Sequence, residues 1–316
     1  MNRQSKLAII GAGSVGSSLA YAALIRESAR EVVLFDTQAA RVEAEVLDLA
    51  HGTRFTGSSR VTGGSHVDVI TDADVVVVTA GAKQRPGQSR PELAAVNVGM
   101  LQTLMPALVE RAPKASYILV TNPSDVLTIA AQRYGGIPRH RIFSSGTVLD
   151  SSRLTWMLAQ AAKVSTSSVH ALILGEHGDS QFPVWSQARI GPVPLREWVP
   201  EGRGPFGPSE LNAIAAEVKG AAQRVIAGKG ATNYAIGLSG ARIVEAVLND
   251  EDAILPVSSI LDGYRGVSGV ALSVPTVVNA TGVSRVIDVP MDDDEVSLFH
   301  ASALAVETSL TAVGLK

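Results

Sequence analysis

Leu7-Ala8-Ile9-Ile10-Gly11-Ala12-Gly13-Ser14-Val15-Gly16 is the stretch that decides the fold. Four apolar residues read as a strand buried on both faces, and the G-x-G-x-x-G that follows opens a helical pattern at about Val15–Arg26. In that setting Gly11 makes the tight turn, Gly13 lets the backbone approach a pyrophosphate, and Gly16 lets helix and strand pack closely. The amides at the helix start then face the phosphate charge. A glycine pattern alone also serves plain packing turns; Asp36 supplies the context. It lies twenty residues after Gly16 and closes the strand-like Val32-Val33-Leu34-Phe35. A carboxylate there accepts hydrogen bonds from a ribose and repels a 2′-phosphate, so NAD is expected rather than NADP.

Outward from this unit the alternation continues. Glu31–Phe35, Val75–Thr79 and Tyr117–Val120 are strand-like, and Ile142–Ser144 reads as the last strand of the series. Helical patterns lie between them at about Ala39–Leu49 and Val96–Arg111, with a further helix after Asn122-Pro123. Such alternation implies an α/β chain whose residues 1–144 form a Rossmann, doubly wound parallel sheet. Residues 145–316 read differently, as an α+β substrate domain. Long helices (Ser151–Ala162, Pro208–Ile226, Asn233–Leu248) precede strand-like Ile254–Leu261 and Val270–Val278, and a terminal helix starts near Asp292. The Pro- and Gly-rich stretch 191–208 reads as a surface connection.

Composition removes several classes of function. Of 316 residues 46% are apolar and 18% charged, which suits a packed domain and not a disordered chain. The longest plainly apolar run, Val75 to Ala80, is far below the roughly 20 residues of a membrane span. Met1-Asn2-Arg3-Gln4-Ser5 leads straight into the first strand, so no signal peptide is expected. There is no cysteine, hence no disulfide, thiol chemistry or cysteine-bound metal, and no metal site is expected. A net charge of −3 without a basic run argues against nucleic acid. A cytoplasmic protein without membrane or nucleic-acid partners is expected.

The chemistry concentrates in two segments. Gly175-Glu176-His177-Gly178-Asp179 holds a histidine in a glycine-flanked turn, and Leu149-Asp150-Ser151-Ser152-Arg153 lies 24 to 27 residues earlier. The imidazole can give or take a proton, an acid can fix its tautomer, and the arginine fork can bind a carboxylate through two parallel bonds. A solvated histidine and an unrelated acid at a helix start would share this spacing. After the strand Val75–Thr79 comes Ala80-Gly81-Ala82-Lys83-Gln84-Arg85-Pro86-Gly87-Gln88-Ser89-Arg90, a loop at the carboxyl end of the sheet with glycine and proline hinges. Lys83 and Arg85 suit solvent. Thr121-Asn122-Pro123 places an amide at the same rim, with a helix cap before Ser124 as the lesser alternative for Asn122.

In order and spacing, these motifs resemble the lactate/malate dehydrogenase family. They are Gly11-Ala12-Gly13-x-Val15-Gly16, Thr121-Asn122-Pro123, Gly146-Thr147-x-Leu149-Asp150-x-x-Arg153, Gly175-Glu176-His177-Gly178-Asp179 and Gly228-Lys229-Gly230-Ala231-Thr232. The similarity spans nearly the whole chain and is greatest to the bacterial L-lactate dehydrogenase branch. It implies reversible hydride transfer between NADH and pyruvate, giving L-lactate. His177 is then the proton donor and acceptor, Asp150 stabilises its imidazolium, and Arg90 polarises the carbonyl when the loop closes. Arg153 binds the substrate carboxylate, with Gln84, Asn122 and Thr232 completing the pocket. For the coenzyme it implies Gly11, Gly13, Val15, Gly16, Asp36, Ala80, Gly81, Asn97, Thr121, Asn122 and Ser145.

Gln84 stands six residues before Arg90, where malate dehydrogenases of this family carry an arginine for the second carboxylate of oxaloacetate. A neutral side chain there leaves that carboxylate unpaired, which favours pyruvate by about a hundredfold or more. Malate or branched 2-hydroxy acids are the alternative substrates. Many bacterial members bind fructose 1,6-bisphosphate between subunits through an arginine and a histidine. His170 is present, but the arginine position holds Thr155, which disfavours such activation. A homodimer or homotetramer is expected from the resemblance.

Overall fold

The computed structural model describes residues 5–82, 90–202 and 204–316, with the side chain of Arg90 excluded. Its largest sheet starts from β1 (Lys6–Ile10), β2 (Glu31–Phe35), β3 (Arg60–Gly64), β4 (Val75–Val78), β5 (Ser116–Leu119) and β6 (Ile142–Ser144). They are parallel and lie side by side in the order β3-β2-β1-β4-β5-β6. The chain therefore reverses its direction of travel across the sheet between β1 and β4. A crevice at that switch point, beyond the carboxyl ends of the strands, is where such sheets take ligands.

Both faces are buried, as the continuous apolar runs require. Leu7, Ile9, Val75, Val77 and Ile118 enter one core with α1 (Ser14–Ile25). Ala8, Ile10, Val76, Val78 and Tyr117 enter another, with α3 (Arg90–Arg111) and α4 (Ser124–Gly135). The two sets alternate because successive strand side chains point to opposite faces. β3 has no counterpart in the sequence pattern. Only Val61 is buried in this edge strand, so its pattern is mostly polar. Its Gly63 is needed sterically, because a Cβ there would stand 2.4 Å from the Leu34 carbonyl oxygen.

α2 (Ala39–Gly52) completes the helices of the first half. By length and a mean hydropathy of 1.3, Pro91–Arg111 of α3 is apolar enough to cross a membrane. That apolar face is used inside the protein: Leu101, Met105 and Leu108 have no exposed surface.

In the second half, α5 (Val148–Ala162) packs through Leu154 and Leu158 on strand residues Val169 and Ile173 and on Val218 of α6 (Pro208–Lys229). α7 (Tyr234–Leu248) lies against α1 so closely that a Cβ on Gly237 would be 2.8 Å from the Ser18 carbonyl oxygen. α8 (Asp293–Ala312) is opened by a capping box between Asp292 and Glu295. The two long strand-like runs each divide. Ser258–Ile260 and Ala271–Ser273 extend the large sheet beyond β6 as antiparallel strands. Ala253–Leu255 and Thr276–Asn279 instead pair with each other in a separate sheet. The divisions fall at Pro256 and Pro275, which have no N–H to give a ladder.

Candidate active site

The glycine turn is shaped by contacts that a side chain would destroy. Gly11 has φ +105°, and its amide donates to the Phe35 carbonyl at 2.7 Å. A Cβ on Gly16 would lie 1.8 Å from the Gly11 oxygen, so α1 approaches the strand end only without one. At Gly13 a Cβ would meet nothing within 4 Å, leaving open space over the helix start. No side chain caps α1, and its first amides border a cleft lined by Ser14, Ser17, Arg41 and Asn233. Uncapped amides, the helix dipole and a nearby guanidinium suit a pyrophosphate. Val15 is half-buried in the first turn of α1.

The Asp36 carboxylate is held beside this turn by two amides, Ala12 N–H on Oδ2 and Gln38 N–H on Oδ1, each at 2.9 Å. It stays partly open, which suits acceptance of ribose hydroxyls.

The far side of the crevice is knitted by Asn97. This fully buried amide accepts from Ala82 N–H and donates to the Asn122 carbonyl, both at 2.8 Å. It therefore staples the loop after β4 to the loop after β5. Thr121 Oγ1 donates to the Ala80 carbonyl at 2.7 Å, and a Cβ on Gly81 would collide with the Thr121 methyl. Asn122 itself is exposed, joined to Pro123 through a cis peptide bond. The N-cap of α4 is Pro123 and no side chain caps that helix, so Asn122 is not its cap. Ser145 is buried just beyond β6, its amide donating to the Leu119 carbonyl.

At the carboxyl end of this rim the proton-transfer candidates meet. Asp150 and Arg153 share one turn of α5, and Arg153 Nη1 donates to Asp150 Oδ1 at 2.7 Å. The other oxygen, Oδ2, faces His177 Nδ1, also at 2.7 Å. Asp150 is buried, whereas the His177 side chain keeps 25% of its surface open. With Nδ1 committed to the carboxylate, Nε2 is the nitrogen available for proton exchange. Burial disfavours the charged imidazole, but the charge and hydrogen bond of Asp150, then the charge of Asp125, outweigh it and raise the His177 pKa. Burial likewise pushes Asp150 up, yet His177 and then Arg153 hold it below the usual carboxylate range.

Asp125 was not foreseen from the sequence. It lies in the first turn of α4, is 2% exposed, and its Oδ2 accepts the His177 backbone N–H at 2.8 Å. Burial pushes its carboxyl up to about 6, against the lowering pull of the Ser258 hydroxyl and of His177. Its sequence signal, an acid near a helix start, is indistinguishable from ordinary helix-dipole pairing.

Thr232 occupies the turn between α6 and α7. Its neighbour Asn233 donates from Nδ2 to Ser18 Oγ at 2.8 Å, fastening that turn to α1 at the wall of the cleft beside the α1 start. Thr155 bonds back to the Ser151 carbonyl at 2.8 Å, and His170 is exposed on a short strand. Gln84, with Lys83 and Arg85, lies outside the described residues, as does the side chain of Arg90.

Comparison with known proteins agrees with this architecture. The model of the lactate/malate dehydrogenase NAD binding domain matches residues 5–144, and that of the family's alpha/beta C-terminal domain matches 147–313. The chain belongs to the lactate/malate dehydrogenase family. The family's coenzyme is NAD, in keeping with the uncapped helix start and with Asp36. An L-lactate dehydrogenase of Bifidobacterium animalis subsp. lactis is 46% identical over 313 residues, 99% of this chain and 98% of its own. One from Synechococcus is 43% identical over 298 residues, 94% of this chain and 96% of its own. Among solved structures, MGS-M5, a lactate dehydrogenase from a Medee basin deep-sea metagenome library, superposes with a TM-score of 0.94 at 33% identity, covering 99% of both chains. The minor L-lactate dehydrogenase of Enterococcus mundtii, in a ligands-bound form, gives 0.93 at 36% identity with the same coverage.

Proposed function

We propose that this family member is an NAD-dependent L-lactate dehydrogenase, reducing pyruvate to L-lactate and running in reverse. NADH supplies the hydride when bound. Gly11, Gly13, Val15 and Gly16 would receive its pyrophosphate and Asp36 its adenosine ribose. The rim of Ala80, Gly81, Thr121, Asn122 and Ser145 would border the nicotinamide. Asn97 acts from beneath, holding that rim together. Substrate enters with its carboxylate on Arg153, whose donors beyond Nη1 offer the planar fork. His177 gives its Nε2 proton to the carbonyl oxygen as hydride arrives, and takes it back in lactate oxidation. Asp150 keeps the imidazole charged until that moment. Arg90 would polarise the carbonyl, a contact realised in the transition state. Asn122 would hold the carbonyl side of the substrate, and Gln84 and Thr232 a methyl group and not a second carboxylate.

The observation that carries this reading is the shared carboxylate: one buried Asp150 between a proton-transfer group and a carboxylate-binding fork. The identities of 38–46% to curated L-lactate dehydrogenases favour lactate over malate. We further propose residues 1–144 as the coenzyme domain and 145–316 as the substrate domain, a cytoplasmic location, and a homodimer or homotetramer. The reaction would regenerate NAD in fermentative glycolysis. Initial rates of NADH oxidation with pyruvate, oxaloacetate and 2-oxoisocaproate test the assignment. Pyruvate is expected to lead by about a hundredfold over oxaloacetate; faster turnover of oxaloacetate overturns it. A run with fructose 1,6-bisphosphate is expected to show no activation, and size-exclusion with light scattering reads the assembly.

A further inference from the structure

The last helix reaches into the catalytic loop. Ser302, midway along α8, has no exposed surface, and its hydroxyl lies against residues 175–180. The Glu176 amide donates to Ser302 Oγ at 2.6 Å. Ser302 Oγ and Ser180 Oγ are 3.0 Å apart, and Ser180 Oγ lies 2.5 Å from Glu176 Oε2.

Donor and acceptor chemistry gives these three bonds one direction. An amide N–H only donates and a carboxylate only accepts, whereas each hydroxyl has one proton to give. Glu176 N–H therefore donates to Ser302, and Ser180 donates to the Glu176 carboxylate. The Ser302 proton is left to donate to Ser180. Each hydroxyl thus accepts one bond and donates one, so the circuit closes and its members polarise one another.

The circuit grips the backbone amide of Glu176, the residue immediately before His177. The following amide, His177 N–H, is held by Asp125 of α4. Consecutive backbone amides are thereby pinned from two separate helices, while the imidazole is held by α5. The approach of α8 depends on Gly175, whose φ is +91° and whose Cβ would lie 2.6 Å from Ser302 Oγ. On the other side, Gly175 and Ser273 exchange backbone bonds at 3.0 and 2.9 Å, so the loop is clamped from sheet and helix together.

We propose that Ser302 is a positioning residue for the reaction. Through the Glu176–Ser302–Ser180 circuit it sets the height of His177 above the substrate site, although it touches no reacting atom. The inference rests on His177 being the proton donor. A displacement of about 1 Å at a reacting group can cost about a hundredfold in rate, so a loosened anchor acts on kcat far more than on substrate affinity.

The test is Ser302→Ala beside Ser180→Ala in the full-length enzyme. Ser302→Ala removes the acceptor of the Glu176 amide and is expected to lower kcat for pyruvate by about tenfold or more, with KM within about threefold. Ser180→Ala keeps that bond and loses the other two, so a loss of about threefold is expected. In both variants hydride and proton transfer becomes slower, so the isotope effect on kcat with C4-deuterated NADH rises. A lower melting temperature with kcat and the isotope effect unchanged would reduce Ser302 to a folding contact and end the proposal. Should Ser302→Ala fail to fold, an unchanged kcat and isotope effect in Ser180→Ala ends it equally. A wild-type protein that fails to oxidise NADH with pyruvate would instead strike the activity assignment.

Discussion

Asp150→Asn is the substitution that presses hardest on the proton-transfer scheme, because it keeps shape and removes charge. The carboxylate and imidazole meet at 2.7 Å between heavy atoms. Their charge centres are then about 4 Å apart, worth about 4 kcal/mol at an effective dielectric of about 20. Arg153 shares the same carboxylate, at 2.7 Å on its other oxygen, and offsets part of that attraction. Taking half leaves about 2 kcal/mol of support for the imidazolium, or about a 30-fold loss of the proton-donating form once pH exceeds the pKa of both wild type and variant. The sign with pH follows. With His177 as proton donor, pyruvate reduction uses its protonated form; because the folded protein raises the His177 pKa, the rate falls as pH rises through that raised value. Without the carboxylate charge the fall moves to lower pH. Steady-state kcat/KM for pyruvate, followed from about pH 5.5 to about pH 9 across the histidine range, reads both effects. A variant within about threefold of wild type, with its descending limb unmoved, would refute the role given to this contact.

Other outcomes follow from the same geometry. Asp125→Asn removes a second charge that raises His177, so the descending limb again moves to lower pH, by less than in Asp150→Asn. The stability signature of that residue is separate. Its folded pKa of about 6 exceeds the ordinary 3.8, so the native state holds the proton more tightly and stability declines as pH rises from about 4 to about 6. The full cost, on the order of 3 kcal/mol, is reached above that window; urea midpoints at about pH 4.5 and about pH 7 should show this slope flattened in Asp125→Asn. Asp36→Ala loses the ribose acceptor together with the anchor of the Ala12 amide, and NADH titration by fluorescence should show binding weakened about tenfold to a hundredfold. Gly237→Ala forces a methyl to 2.8 Å from the Ser18 carbonyl and should cost about 1–3 kcal/mol in thermal or urea unfolding. Gly220→Ala meets nothing within 4 Å and should leave stability unchanged or slightly raised.

Much of the fold is legible in the chain because short-range physics writes it there. A strand buried on both faces must be continuously apolar, so β1, β2, β4 and β5 stand out within one or two residues of their observed ends. The glycine turn and Asp36 are equally local: Gly11 takes a φ of +105°, and at Gly16 a Cβ 1.8 Å from a carbonyl leaves no room for a methyl. β3 escaped because an edge strand with one buried valine carries almost no pattern. The runs about Pro256 and Pro275 looked continuous, since hydropathy does not record which sheet a strand joins.

The site divides along the same line. Residue types and spacing named His177, Asp150 and Arg153, because proton transfer and carboxylate binding each need particular functional groups. That Asp150 serves both neighbours at once depends on strand Ile173–Leu174 lying against α5, where Ser151 Oγ accepts the Ile173 amide at 2.9 Å. Asn97 is a staple between the loops after β4 and β5, a role set entirely by what surrounds it. Asp125 stands 52 residues from His177, and Ser302 stands 126 residues from Glu176, each on a helix whose own pattern is ordinary. Backbone preference and hydropathy act over a few residues and so can be read along the chain. Which buried polar group finds which amide is decided only when sheet, α4, α5 and α8 close on one another, since burial is what makes each of those bonds obligatory.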